Sequence, residues 1–326
     1  MPQTLFATLR NHDEPIALPC FRIGFVLDGM LDQQANRDTA VAMLTLFHAS
    51  FAGQLVFMTL GRAGGKPSKL KQFSEKTLQD WRALIAEGMP KNSGLRLYGT
   101  DQNELGVPFM PFFSLDHDRH PLTRIQMCVP WQYDRLLPFS DSLDAVARKA
   151  SVRFGYQGFG FARSPISGLQ DRWLPPAFRR FRSAVMGDVL GHEALLFYSK
   201  PYATMRRLDQ QRRGGKAEKP WDYEPGVPDI GWRTYIGQAF MDRLTALAPS
   251  DITLDRTDSM MIVTAGPSPI WGDLNQSEDI SAWKAVYGYL RPAFASQNIL
   301  RAFTLDCNPA DPTSVEVVEQ YLNRFV

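Results

Sequence analysis

The sequence has few cysteines and none of the spacings that bind zinc or build a disulfide framework. Cys20, Cys128 and Cys307 lie far apart and are odd in number, so we expect three reduced, mostly buried thiols. No apolar run reaches the roughly 18 residues of a membrane-spanning helix, and the first residues lack the layout of a secretory signal. These absences predict a cytoplasmic protein that has no contact with a membrane.

The chain also lacks an excess of charge of either sign. Its 36 basic and 34 acidic residues nearly cancel, to a net charge of +2, which argues against a dedicated nucleic-acid binder and against a DNA mimic. Arginine clusters at 179–182 and 206–213 keep a nucleic-acid-associated function open. However, Phe178, Phe181 and Val185 recur at helical spacing, which predicts that the first cluster is the solvated face of a core helix. We therefore expect no direct contact with nucleic acid.

Familiar catalytic motifs are missing as well. There is no P-loop, no H-E-x-x-H and no G-x-S-x-G elbow. The segment "GYQGFGFA" holds Gly155, Gly158 and Gly160, but their spacing is not that of a dinucleotide-binding turn. Glycines along a strand indicate a bulge or close packing instead.

One short segment, "SLDHDRHP" at 114–121, has the composition of a metal or acid–base site. Asp116, Asp118 and His120 would point to one side of an extended chain, with His117 between them. Two carboxylates and an imidazole can hold a metal ion, which leaves a metal-dependent hydrolase as an alternative function. The flanking turn signals favour a polar hairpin loop or a partner contact. In that interpretation the protein is not an enzyme and needs neither a metal nor a cofactor.

The 326 residues suffice for one large domain, with two subdomains at about 1–150 and 151–326 as a possible division. A long loop is predicted at 205–231. Candidate strands follow one another in pairs and triples, so the predicted fold is α+β, with mainly antiparallel sheet and packed amphipathic helices. "SDSLDAVARKA" predicts a helix capped by Ser140 or Ser142, and "WRTYIGQAFMDRLTAL" has helical periodicity. A further helix is predicted to begin at Ser277.

Two loops concentrate aromatic and acidic residues. "PWDYEPG" contains Trp221, Asp222, Tyr223 and Glu224, and "TAGPSPIWGDLN" contains Trp271 and Asp273. Tryptophan and tyrosine are enriched at protein interfaces. The alternative is that these side chains seal their loops onto the core.

Four ordered segments resemble the type VI immunity family: "LRLYGTDQNELGVPFMPFFSLD", "GWRTYIGQAF", "TAGPSPIWGDLN" and "SAWKAVYGYLRPAF". The resemblance covers roughly residues 21–294 and includes no catalytic signature. It implies a single immunity-type domain that binds a toxic effector of the type VI secretion system in the cytoplasm and blocks it. Effectors of such systems include virus-type replication-repair nucleases, so a nuclease is the expected partner.

An inhibitor of a nuclease could place carboxylates where DNA phosphates would bind. The hypothetical effector interface consists of acidic side chains, aromatic anchors and one histidine: Asp116, His117, Asp118, Trp221, Asp222, Tyr223, Glu224, Trp271 and Asp273. The arginine-rich stretch at 206–216 suits a basic DNA-binding groove poorly and is not included.

Overall fold

In the residues that the structure describes, the framework of the fold is a ten-stranded, fully antiparallel sheet. The computed structural model of the chain describes residues 10–11, 14–15, 17–62, 70–99, 110–117, 122–163, 177–185, 224–296, 300 and 312–326. Within these residues helices accompany the antiparallel sheet, which confirms the predicted α+β class.

The strands of the sheet, numbered along the chain, are β3 (Ala17–Asp28), β4 (Phe57–Arg62), β5 (Lys71–Gln72), β6 (Ser93–Tyr98), β7 (Phe112–His117), β8 (Leu122–Pro130), β9 (Val152–Arg163), β10 (Arg233–Gly237), β11 (Ile252–Arg256) and β12 (Met260–Ala265). A separate pair is formed by β1 (Arg10–Asn11) and β2 (Glu14–Pro15). The described α-helices include α1 (Gln34–Phe51), α2 (Glu75–Glu87), α3 (Leu136–Ala147), α4 (Gln238–Met241), α5 (Ser281–Leu290) and α6 (Pro312–Leu322). Turns of 3-10 helix lie at Ala52–Gln54, Leu274–Gln276 and Arg291–Ala293.

The spatial order of the sheet is β11-β12-β10-β9-β3-β8-β7-β6-β4-β5. The two long central strands, β3 and β9, pair along most of their length. Strands from both sides of residue 150 therefore belong to the same sheet, because β9 joins β3 on one side and β10 on the other.

Helices pack on both faces of this sheet. On one face, Phe47 of α1 lies against Phe113 of β7, with ring centroids 5.4 Å apart, and Phe51 meets Phe139 of α3 at 5.7 Å. On the other face, α5 covers β12, where the Tyr289 hydroxyl lies 4.0 Å from the Met261 sulfur. The buried aromatic and aliphatic side chains between these layers form the main core.

The glycines of "GYQGFGFA" allow close packing across β9, as the sequence predicts. Phe25 of β3 and Tyr235 of β10 lie on either side of Gly155 and meet over it, with ring centroids 4.8 Å apart. A Cβ at Gly155 would lie 2.7 Å from the Phe25 ring. The absence of a side chain at this position lets the two rings touch.

Three local predictions are wrong, each because tertiary structure overrides a local pattern. The stretch predicted as a helix from Trp232 is strand β10 followed by the short helix α4, since β9 and β12 hydrogen-bond β10 on both sides. Helix α3 begins at Leu136, so Ser140 and Ser142 both lie inside it rather than at its cap. Ser277 has a positive φ of 53° and ends a 3-10 turn, and α5 begins four residues later.

Candidate functional site

The loop "TAGPSPIWGDLN" packs its tryptophan into the interior. Trp271 is only 2% exposed. Its ring stacks on Phe159 at 4.9 Å and lies against Phe161 at 5.3 Å and Phe181 at 5.5 Å. These contacts join the loop to β9 and to the segment 177–185. Trp271 therefore seals the loop onto the core, and its burial disfavours the predicted role as an anchor on a partner.

Main-chain hydrogen bonds tie the same loop to the segment 177–185. The N–H groups of Arg182 and Ser183 donate to the carbonyls of Gly272 and Trp271, at 3.0 and 3.3 Å. Gly272 has a φ of +61°, and a Cβ there would lie 2.7 Å from the Ser183 nitrogen. Only glycine meets both the backbone conformation and the close approach.

Asp273 is fully buried and makes a bidentate ion pair with Arg180. Nε and one terminal nitrogen of Arg180 lie 2.8 and 2.9 Å from the two carboxylate oxygens. The Asn275 N–H donates to Asp273 Oδ1 at 3.0 Å, while Glu278 accepts from the Asp273 N–H at 2.9 Å. Asp273 thus caps the 3-10 turn that follows it. The carboxylate holds the loop together, and its burial disfavours contact with an effector.

Two arginines of the segment 177–185 bind other parts of the protein, although Arg179 remains exposed. Besides the pair made by Arg180, Arg179 donates to Gln320 of α6 at 2.9 and 3.0 Å. Phe178 and Phe181 are buried, which confirms the predicted apolar core face. The arginine-rich stretch 206–216 lies outside the described residues.

The Asp116–His120 segment does not assemble a metal site within the described residues. Asp116 and His117 are adjacent on β7, so their side chains leave opposite faces of the sheet. Asp116 pairs with Arg96 at 3.1 Å and with Arg124 at 3.7 Å. His117 is buried, with Nδ1 2.6 Å from the Met89 carbonyl oxygen. Asp118 and His120 lie outside the described residues, and among the described ones no group of three metal-binding side chains occurs.

Of the residues predicted in "PWDYEPG", the structure describes Glu224 alone. Its side chain is 65% exposed and lies 3.3 Å from a guanidinium nitrogen of Arg243. Trp221, Asp222 and Tyr223 lie outside the described residues. Glu224 is thus a residue of the hypothetical interface that the structure places on the surface.

The structure contains a buried polar cluster that the sequence did not predict. Asp144 of α3 accepts hydrogen bonds from Arg233 at 2.6 Å, from Gln157 at 3.0 Å and from the Tyr235 hydroxyl. Ser140, one helical turn earlier, donates to the Gln157 side-chain oxygen at 2.6 Å. Polar residues four apart on an otherwise apolar helix face were the local signal for this cluster.

Burial determines the proton affinities in this cluster. Desolvation raises the pKa of Asp144, although the hydrogen bond from Tyr235 and the charge of Arg233 oppose it. Burial and the neighbouring carboxylate raise the pKa of Tyr235 well above its ordinary value. Since Asp144 is already bound by three donors, the cluster joins α3 to β9 and β10 rather than offering a base to a substrate.

The comparisons with known proteins bear on the fold. No protein-family model and no curated protein matches the chain. Among solved structures the chain is similar to the T6SS protein PA0821 of Pseudomonas aeruginosa, at 16% identity and a TM-score of 0.69. The match covers 99% of this chain and 88% of the other. At this identity the likeness shows a shared fold.

The structure also bears on the membrane prediction. None of the helices in the described part of the chain has the length and the apolar character needed to cross a membrane.

Proposed function

We propose that this chain is an immunity protein that binds and neutralises a cognate toxin of the type VI secretion system. The observation that carries the proposal is the fold it shares with a T6SS protein along 99% of its length, at a TM-score of 0.69. The four segments that resemble the type VI immunity family support the same conclusion. The proposal gives the chain a binding role in the cytoplasm, without catalysis and without a cofactor.

The pairing of buried carboxylates with arginines supports a binding role. Asp116, Asp144 and Asp273 are each held by arginine in a buried or largely buried ion pair. Carboxylates whose oxygens are already occupied are poorly placed to transfer protons to or from a substrate. Such pairs fit a protein whose task is to present a fixed surface.

We further propose that the toxin is a nuclease. A nuclease binds phosphates through a basic surface, and exposed carboxylates of an inhibitor can occupy the same positions. Complementary charge would raise the association rate, and a desolvated apolar contact would slow dissociation. Glu224 is one exposed carboxylate of the hypothetical interface, and it would have to exchange its pair with Arg243 for a basic group of the nuclease.

Co-expression with the toxin encoded beside this chain tests the proposal. We expect growth to be rescued, the two proteins to co-purify, and chromosomal DNA to stay intact only when the chain is present. An unrelated type VI toxin serves as the matched control and should not be neutralised. Continued growth arrest without co-purification would contradict the immunity function. Rescue from a toxin that leaves DNA intact would contradict the nuclease assignment alone.

A further inference from the structure

Strand β11 forms one edge of the ten-stranded sheet and pairs with β12 on its inner side. The direction of its main-chain groups follows from two hydrogen bonds. The Thr257 N–H donates to the Met260 carbonyl at 2.8 Å, and the Ala265 N–H donates to the Trp232 carbonyl at 2.8 Å. The first bond shows that Thr257 and Met260 are a hydrogen-bonded pair. The second shows that the main-chain groups of Ala265 in β12 point toward β10. Both bonds indicate the same alternation, along β12, between residues whose main-chain groups point toward β11 and residues whose groups point toward β10.

This alternation leaves half of β11 directed away from the sheet. Thr253 and Asp255 exchange hydrogen bonds with β12, so Ile252, Leu254 and Arg256 turn their N–H and C=O groups outward. In the part of the chain that the structure describes, no main-chain hydrogen bond reaches these outward groups. The opposite edge, β5, is only two residues long and offers much less. An open edge of this length is a template for another strand.

Several side chains of β11 and of the loop before it are exposed to solvent. The side chains of Thr253 and Arg256 are exposed, and Leu254 is half-buried. In the preceding loop, residues 245–251 are all exposed, and Leu247 is 96% exposed. Burial of this apolar side chain against a partner would contribute favourably to binding.

Charge at this edge is divided between its faces: Asp251 and Asp255 belong to one face, and the exposed Arg256 belongs to the other. Asp251 is exposed immediately before the strand. Asp255, 46% exposed, lies four residues on, at a rise of about 14 Å along an extended chain. Arg148, the residue after α3, binds Asp255 through Nε at 3.0 Å, whereas Asp251 accepts a hydrogen bond from Ser250 at 3.1 Å. A basic side chain of a partner could therefore reach Asp251 without displacing an arginine.

We propose that β11 is the docking edge for an extended segment of the toxin, which adds to the sheet as an eleventh strand. This inference rests on the proposed immunity function and names the surface that performs it. The partner's main chain bonds to the outward groups of Ile252, Leu254 and Arg256. Its apolar side chains cover Leu254 and Leu247, and a basic side chain meets Asp251.

A proline at an outward-facing position of β11 tests the docking of a partner strand without removing a hydrogen bond of the fold. Arg256→Pro removes an outward N–H and leaves the hydrogen bonds between β11 and β12 intact, as edge strands tolerate. Arg256→Ala is the matched control, because it removes the same side chain and keeps the N–H. Thr253→Pro is the second control, since it deletes an inward hydrogen bond and should lower the melting temperature.

Affinities of these variants for the purified toxin encoded beside the chain test the inference, with melting temperatures measured in parallel. We expect Arg256→Pro to melt close to Arg256→Ala and to bind about threefold to tenfold more weakly, as for one lost hydrogen bond. Equal affinity of the two Arg256 variants, with wild-type binding intact, would overturn the docking edge and spare the immunity function. Absence of wild-type binding would overturn both. A wild-type dimer that Arg256→Pro converts to monomers would assign the edge to a second copy, against the inference.

Discussion

Replacing Asp273 by asparagine removes a buried charge that pairs with Arg180 and keeps the size of the side chain. The carboxylate has no exposed surface, and the Arg180 side chain is 26% exposed. Breaking a fully buried ion pair from one side costs about 3–5 kcal/mol. Because Arg180 can regain some hydration, we expect Asp273→Asn to lower the free energy of unfolding by about 2–3 kcal/mol. A domain with a stability of about 5–15 kcal/mol remains folded after such a loss.

Urea unfolding followed by tryptophan fluorescence measures this loss. Asp258→Asn, at an exposed carboxylate of the β11–β12 turn, is the matched control and should change stability by less than about 0.5 kcal/mol. A double-mutant cycle with Arg180→Met should give a coupling energy of about 1–3 kcal/mol. Equal stability of wild type and Asp273→Asn would refute the reasoning that this pair holds the loop.

The same variant separates the two interpretations of the loop. If Asp273 supports the structure, folded Asp273→Asn should bind the toxin with nearly wild-type affinity. A loss of affinity in the fully folded variant would restore Asp273 to the effector interface.

Two further predictions concern the centre of the sheet. Gly155→Ala places a methyl group against the Phe25 ring, 2.7 Å from the added Cβ, and should destabilise the fold by about 1–3 kcal/mol in urea unfolding; an unchanged midpoint would contradict the close packing. Burial raises the pKa of Asp144, so the folded chain keeps this proton to a higher pH than the unfolded chain, whose Asp pKa is about 3.9. The contribution of Asp144 to the free energy of unfolding therefore falls as the pH rises above about 4. The stability of wild type minus that of Asp144→Asn should decrease from pH 4 to pH 7, and an increase over that range would contradict the direction of the shift.

The sequence predicts the α+β class because strand pairs separated by short turns have few alternatives to antiparallel pairing. Its glycines in β9 also predict either a bulge or close packing, and the structure shows close packing at Gly155. The sequence does not predict β10. Trp232 and Ile236 fit the spacing of a helix, and only hydrogen bonds from two strands distant in sequence decide the conformation.

The side-chain clusters were less predictable because their members are far apart in sequence. Asp273 and Arg180 are separated by 93 residues, and Asp144 and Tyr235 by 91. No local sequence feature distinguishes an aspartate that will be buried against an arginine from one that will face a partner. The composition of the loop around Trp271 left open whether its side chains seal the core or contact a partner, because their direction depends on the distant segment 177–185.

Titration calorimetry of the purified chain against the purified toxin encoded beside it tests the central claim most directly. The account predicts a one-to-one complex, and loss of toxin activity once the two are present in equal amounts. Absence of heat at micromolar concentrations, together with full toxin activity in excess of this chain, would contradict the immunity function.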